Sequence, residues 1–182
     1  MEFTLYYRGE LKANKGKKEK QALRRHFHSQ LKMLWEQLPL KEYSQRLDSN
    51  EEINIIKNIG NFSFASLVNE NLNLIAELRV TFLRPEPPGS IVSEGGDIDN
   101  RLKTLLDGLR APSVMDEIPK GDLPKDGESP FFCLLEDDNL ITKIHIETDR
   151  LLDVCEHSSE VVLLIHVTTK ATRLSFKNMG LG

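Results

Sequence analysis

The chain has 182 residues, 39% of them hydrophobic and 29% charged, a formal net charge of −4 and a pI near 5.8, which suits one domain with a sizeable core and is too short for two ordinary ones. The acidic balance excludes a global field drawing the protein to nucleic acid, so any DNA contact must come from a local patch. Two cysteines, Cys133 and Cys155, exclude a disulfide framework, and no apolar stretch approaches the ~20 residues that span a bilayer, so a soluble, cytoplasmic protein without a membrane partner is expected.

In chain order, residues 2–7 read as a short strand with Phe3, Leu5 and Tyr7 on one face. A basic stretch follows and leads into a helix over residues 18–38, whose apolar stripe is Leu23, Phe27, Leu31, Leu34 and Leu38 and which Pro39 ends. Lys18, Arg25 and Lys32 lie on the opposite side at i, i+7 and i+14, with His28 beside them. Such a row can contact phosphates, since sequence-independent affinity for DNA comes chiefly from Lys and Arg; a solvated helix face has the same pattern. His26 and His28, two apart, face different directions and do not make a bidentate metal site.

Residues 40–59 are charged and poorly periodic, a turn with a short helical piece. Residues 62–68 and 72–82 both alternate, which predicts an antiparallel hairpin about the Asn69–Asn71 turn with one face buried. Pro85, Pro87 and Pro88 stop the second strand and deliver the chain to a turn at Gly95-Gly96.

The next segment carries the chemistry. Advancing about 100° per residue from Asp97-Ile98-Asp99-Asn100 puts Ile98, Leu102, Leu105 and Leu109 on one side of a helix and Asp99, Asn100, Lys103 and Asp107 on the other. Asp97 or Asp99 also sits where an N-cap would, and that reading alone explains an isolated D-x-D-N. A second acidic group changes the balance. Glu136, Asp137 and Asp138 precede a strand over residues 140–147, where Leu140, Ile144 and Ile146 alternate with Lys143, His145 and Glu147. Crowded carboxylates repel unless a cation or water relieves them, and if the strand lies beside the helix Asp138 reaches the ion that Asp97 and Asp99 hold.

Between the two groups, residues 110–135 form a long segment with Pro112, Pro119, Pro124 and Pro130 and the acids Asp116, Glu117, Asp122, Asp126 and Glu128, read as a lid, a dimer arm or a disordered insertion. Residues 161–167 are a near-continuous apolar run, read as a central strand covered on both faces, with His166 a structural histidine. The tail after Lys170 is expected to be weakly ordered. The order β-α-β-β-α-β-β suits an α+β domain, a mostly antiparallel mixed sheet packed against helices.

Asp97-Ile98-Asp99-Asn100 with Lys103, Asp107 and Leu109, then Asp137-Asp138 with Ile141, resembles the pattern of the RusA-like Holliday junction resolvases. The resemblance implies a single RusA-like nuclease domain over 1–182 with an insertion at about 110–135, and a Mg²⁺-dependent endonuclease that hydrolyses phosphodiesters in Holliday junctions or other branched DNA during recombination and repair. It implies metal ligation by Asp97, Asp99 and Asp138 with Mn²⁺ as a substitute ion, a catalytic Lys103, and a homodimer that cuts two strands. Asn100, Asp107 and Asp137 are expected to orient water or Lys103 around them. A nuclease for other DNA or RNA, a non-cutting nucleic-acid binder, and an interaction protein whose acids are caps and solvated pairs are the alternatives.

Overall fold

The computed structural model describes residues 1–12, 16–48, 54–85, 98–157 and 159–182, so the expected turn at Gly95-Gly96 and Asp97 lie outside the described residues. The architecture is α+β: strand β1 (Glu2–Glu10), helix α1 (Lys17–Trp35), strands β2 (Ile56–Ile59), β3 (Phe62–Val68) and β4 (Leu74–Arg84), helix α2 (Ile98–Leu109), then β5 (Phe131–Leu135), β6 (Ile141–Arg150) and β7 (Glu160–Ala171). Two mixed sheets form, one of four strands in the order β1-β7-β4-β6 and one of three in the order β2-β3-β5. Antiparallel pairing joins β1 to β7, β4 to β7 and β2 to β3, whereas β3/β5 and β4/β6 are parallel. No helix among the described residues is long and apolar enough to cross a membrane.

α1 forms because apolar residues recur every four positions. The buried stripe runs Leu23, Phe27, Leu31 and Trp35, each at most 4% exposed, and burying side chains of this kind contributes about 1.5–3 kcal/mol apiece. The helix stops at Trp35 with Glu36 as its C-cap, three residues short of the expected Leu38, the position that a following proline disfavours in a helix. Leu38 therefore lies outside the helix, 71% exposed, and Trp35 replaces it in the stripe.

α2 docks on α1 at Gly108, where an added Cβ would come within 2.7 Å of the Leu23 Cβ. Gly108→Ala gains about 0.5–1 kcal/mol of helix propensity but forces two packed helices apart at a cost of about 1–3 kcal/mol. Net destabilisation of about 1–2 kcal/mol is expected, read as a lower urea midpoint at unchanged slope.

The expected hairpin of residues 62–68 and 72–82 does not form: β3 and β4 belong to different sheets. Alternation in β3 is illusory, since Ala65 and Leu67 on its second face are as buried as Phe62 and Phe64 on the first. A strand apolar on both faces belongs between two layers. Asn69 makes the corner, donating to the Ser66 carbonyl at 2.7 Å and accepting from the Leu72 N–H at 2.9 Å, and Asn73 adopts φ 52°, a conformation that asparagine tolerates better than most residues.

The segment 110–135 is neither free nor structureless. Its last five residues are β5, buried throughout, and its first part covers the outer face of the three-stranded sheet. There Ala111 and Ile118 pack with Ile59, Phe62, Phe64, Phe131 and Cys133 in a second small core. The main core lies between the four-stranded sheet, both helices and the inner face of the smaller sheet.

Three more expectations change. The span 40–59 contains β2 as well as a 3₁₀ piece, Leu40–Leu47. β7 is central in hydrogen bonding but covered on one face only, with Leu164 40% exposed. The tail folds back: Leu181 is fully buried, and the buried Asn178 side chain donates to the Leu72 carbonyl at 2.8 Å.

Candidate functional site

Asp99, Asn100 and Lys103 occupy the first turns of α2. Asp99 and Lys103 are exposed, and Asp99 accepts from the Asn100 N–H at 2.8 Å. Among the described residues Lys103 makes no ion pair, with neither Asp99 nor Asp107. Asp107, two turns on, is buried and committed elsewhere. It binds Lys20 Nζ at 2.6 Å and Arg110 Nη2 at 3.1 Å. Burial alone would raise its pKa, but the Lys20 hydrogen bond and charge, with Arg110, hold it below the ordinary carboxylate value. Its place is the junction of α1 and α2, not a position orienting Lys103.

Asp137 and Asp138 follow β5. Asp137 caps a 3₁₀ turn, Asp138–Leu140, by accepting from the Asn139 N–H at 3.0 Å, and Asp138 is exposed. The Ala111 N–H donates to the Leu135 carbonyl at 2.8 Å, and Arg110 and Leu135 form a parallel bridge. The acidic turn is thereby tethered to the C-terminal end of α2. Asp99 begins that helix, about 15 Å of axial rise before Leu109. No group of three or more His, Cys, Asp or Glu among the described residues is arranged to hold a metal ion, a statement that leaves Asp97 aside. The donors expected there, carboxylates only, suit a hard divalent cation such as Mg²⁺.

The basic row on α1 is largely occupied from within. Arg25 pairs with Glu128 at 2.9 Å and Asp122 at 3.0 Å, Lys32 donates to the Gly127 carbonyl at 3.1 Å, and the buried His28 accepts at Nδ1 from the Phe132 N–H at 2.8 Å. Only Lys18 of the four is exposed without one of these partners. Acids of the 110–135 segment, Asp122 and Glu128, neutralise this helix face. Lys17 likewise meets Asp116 at 2.7 Å.

Sequence reasoning missed Arg24, whose fully buried guanidinium donates to the Arg110 carbonyl at 3.0 Å. Its i+4 spacing from His28 was the available signal, since both fall beside the leucine stripe. Cys133 is buried, and burial pushes its thiol up to about 12, which leaves no thiolate for chemistry at neutral pH. Comparison with family models, with curated proteins and with solved structures finds no match for this chain.

Proposed function

We propose that the chain is a metal-dependent endonuclease acting on branched DNA, Holliday junctions included, through Asp97, Asp99, Lys103 and Asp138. The observation that carries this reading is the exposure of Asp99 and Lys103 one turn apart at the start of α2, with Asp138 exposed in the turn that follows β5. Asp107 and Lys20 pair with each other, whereas Asp99, Lys103 and Asp138 make no ion pair among the described residues.

Asp97, Asp99 and Asp138 would hold a divalent cation, which would supply charge neutralisation and an activated water for phosphodiester hydrolysis. Lys103, one helical turn from Asp99, holds a positive charge at the cleavage site, where it stabilises the phosphoryl oxygens as charge accumulates on them. Asn100 sits between them on the first turn. The reading requires the Asp138 turn to reach back along α2 toward Asp99, and it includes a homodimer, since paired cuts in a junction need two sites.

Three observations favour a second reading. Asp137 bonds a backbone N–H in its own turn, the acidic turn is tied to the far end of α2, and the α1 row is neutralised within the chain, as expected of an interaction protein whose acids shape turns.

Cleavage of a synthetic four-way junction with Mg²⁺ separates the two. Asp99→Asn should abolish cutting, and Lys103→Ala should lower the single-turnover rate by about 100-fold while Mn²⁺ affinity is unchanged. Normal cutting by Asp99→Asn, or absence of junction binding at low salt, sinks the nuclease reading.

A further inference from the structure

The four-stranded sheet sends its apolar side chains inward to the helices and leaves its other face open. On that face the strand registers build rows four residues wide. One row reads Thr4, His166, Arg79, His145, because Thr4 pairs with His166, His166 with Arg79, and Arg79 with His145. Cβ atoms of such directly opposed residues lie about 5 Å apart. Arg79 is therefore flanked on both sides by imidazoles, at the middle of a concavity of about 550 Å³.

The charges around it are not equally free. Lys170 is bound to Glu77 at 2.5 Å, Glu147 takes His145 Nε2 at 3.0 Å, and Glu2 accepts from Thr168 at 3.4 Å. Among the described residues the exposed Arg79 makes no ion pair or side-chain hydrogen bond, and Lys143 on the next strand makes no ion pair. An arginine without a carboxylate partner presents a fixed fork of donors that matches a phosphate or sulfate oxygen pair.

We infer that this sheet face is a phosphate-binding site, in which Arg79 grips two oxygens of the group and His145 and His166 close on it from the neighbouring strands. The lining holds Arg79, Lys143 and Lys170 against Glu2, Glu77 and Glu147, a zero balance when both histidines are neutral. The phosphate belongs either to a small molecule or to a nucleic-acid backbone. The α1 row that sequence suggested for backbone contact is neutralised by the 110–135 segment, which leaves this face the better placed of the two. The site itself stands without the nuclease reading; only a DNA source for the phosphate rests on that reading.

The test uses the full chain and the Cε1–H signals of its histidines. Titration with pyrophosphate at constant ionic strength should shift His145 and His166 saturably, with His28 as the buried signal that stays still. Arg79→Gln, an exposed change, should weaken the response at least about tenfold with the fold intact. Equal shifts with chloride, an unchanged response in Arg79→Gln, or shifts spread over all histidines would overturn the site. A four-way junction in EDTA, where nothing is cut, separates the sources. Weaker junction binding by Arg79→Gln assigns the phosphate to DNA, and unchanged junction binding beside lost pyrophosphate binding assigns it to a small molecule. If the unaltered chain binds pyrophosphate but no DNA, the anion site holds and the nuclease reading fails.

Discussion

Phe131→Ala is expected to remove about 3–5 kcal/mol of stability, the range for truncating a fully buried phenylalanine. Phe131 is the ring on which the small core turns: centroid distances are 4.6 Å to His28, 5.4 Å to Phe64 and 5.8 Å to Phe62. Deleting it leaves a cavity between the three-stranded sheet and the segment that covers it, with Ile118 and Ala111 on the far wall. In a domain of this size the loss corresponds to a fall in Tm of about 10–15 °C. Loosening should also be local, so proteolysis near residues 113–127 should accelerate more than global unfolding does. Phe131→Leu, which keeps most of the volume, should cost under about 2 kcal/mol. An alanine variant as stable as the parent would mean that the segment does not seal this face.

Glu128→Ala is the second large effect, at about 2–4 kcal/mol. The carboxylate accepts from Arg25 Nε at 2.9 Å, from Arg25 Nη2 at 3.3 Å and from the Lys125 N–H at 2.9 Å. Removing one partner of a buried pair strands the other, which costs about 3–5 kcal/mol when nothing replaces it; here Asp122 remains beside Arg25 and reduces the loss.

The same cluster sets a pH dependence. Burial by itself would raise the Glu128 pKa, but the Arg25 hydrogen bond and charge, with the Lys125 N–H, hold it below the ordinary carboxylate value. Its stabilisation is complete above that value and is lost as pH falls through the lowered one. Burial lowers the pKa of His28 from 6.5, against a backbone hydrogen bond to Gly127 that raises it. The unfolded chain then takes up the proton first, so this stabilisation too is present above 6.5 and declines in acid. Protonating Nδ1 would also break its bond from the Phe132 N–H. Urea midpoints should thus fall in two stages, a first as pH drops below neutrality and a second below about pH 4. Glu128→Ala should shrink the second stage, to which Asp107 also contributes, and leave the first; a profile unchanged in that variant would remove Glu128 from the account.

Where one face of an element is apolar and the other polar, sequence and structure agree closely. β1, the stripe of α1 and the alternation of β4 were legible because water decides which side faces in. β3 and β5 were misread for the opposite reason: Phe131 to Leu135 is apolar at every position, and periodicity carries no orientation when both faces are buried. Charges were harder still. Asp107 and Lys103 share a helix face, yet one is buried between Lys20 and Arg110 and the other stands free. That difference depends on which helix packs alongside.

The sequence by itself determined the α+β class, the helices, most strands, and the acidic and basic residue types available for chemistry, because these follow from local periodicity and side-chain ionisation. Tertiary structure alone decided which strands share a sheet, that residues 110–135 form a cover and a strand, and that the basic row of α1 is neutralised inside the chain. It also opened the Arg79 row to solvent. Each of these depends on pairings between residues distant in sequence, where the energy of burial and charge pairing is settled by the neighbour that arrives and not by the residue's own pattern.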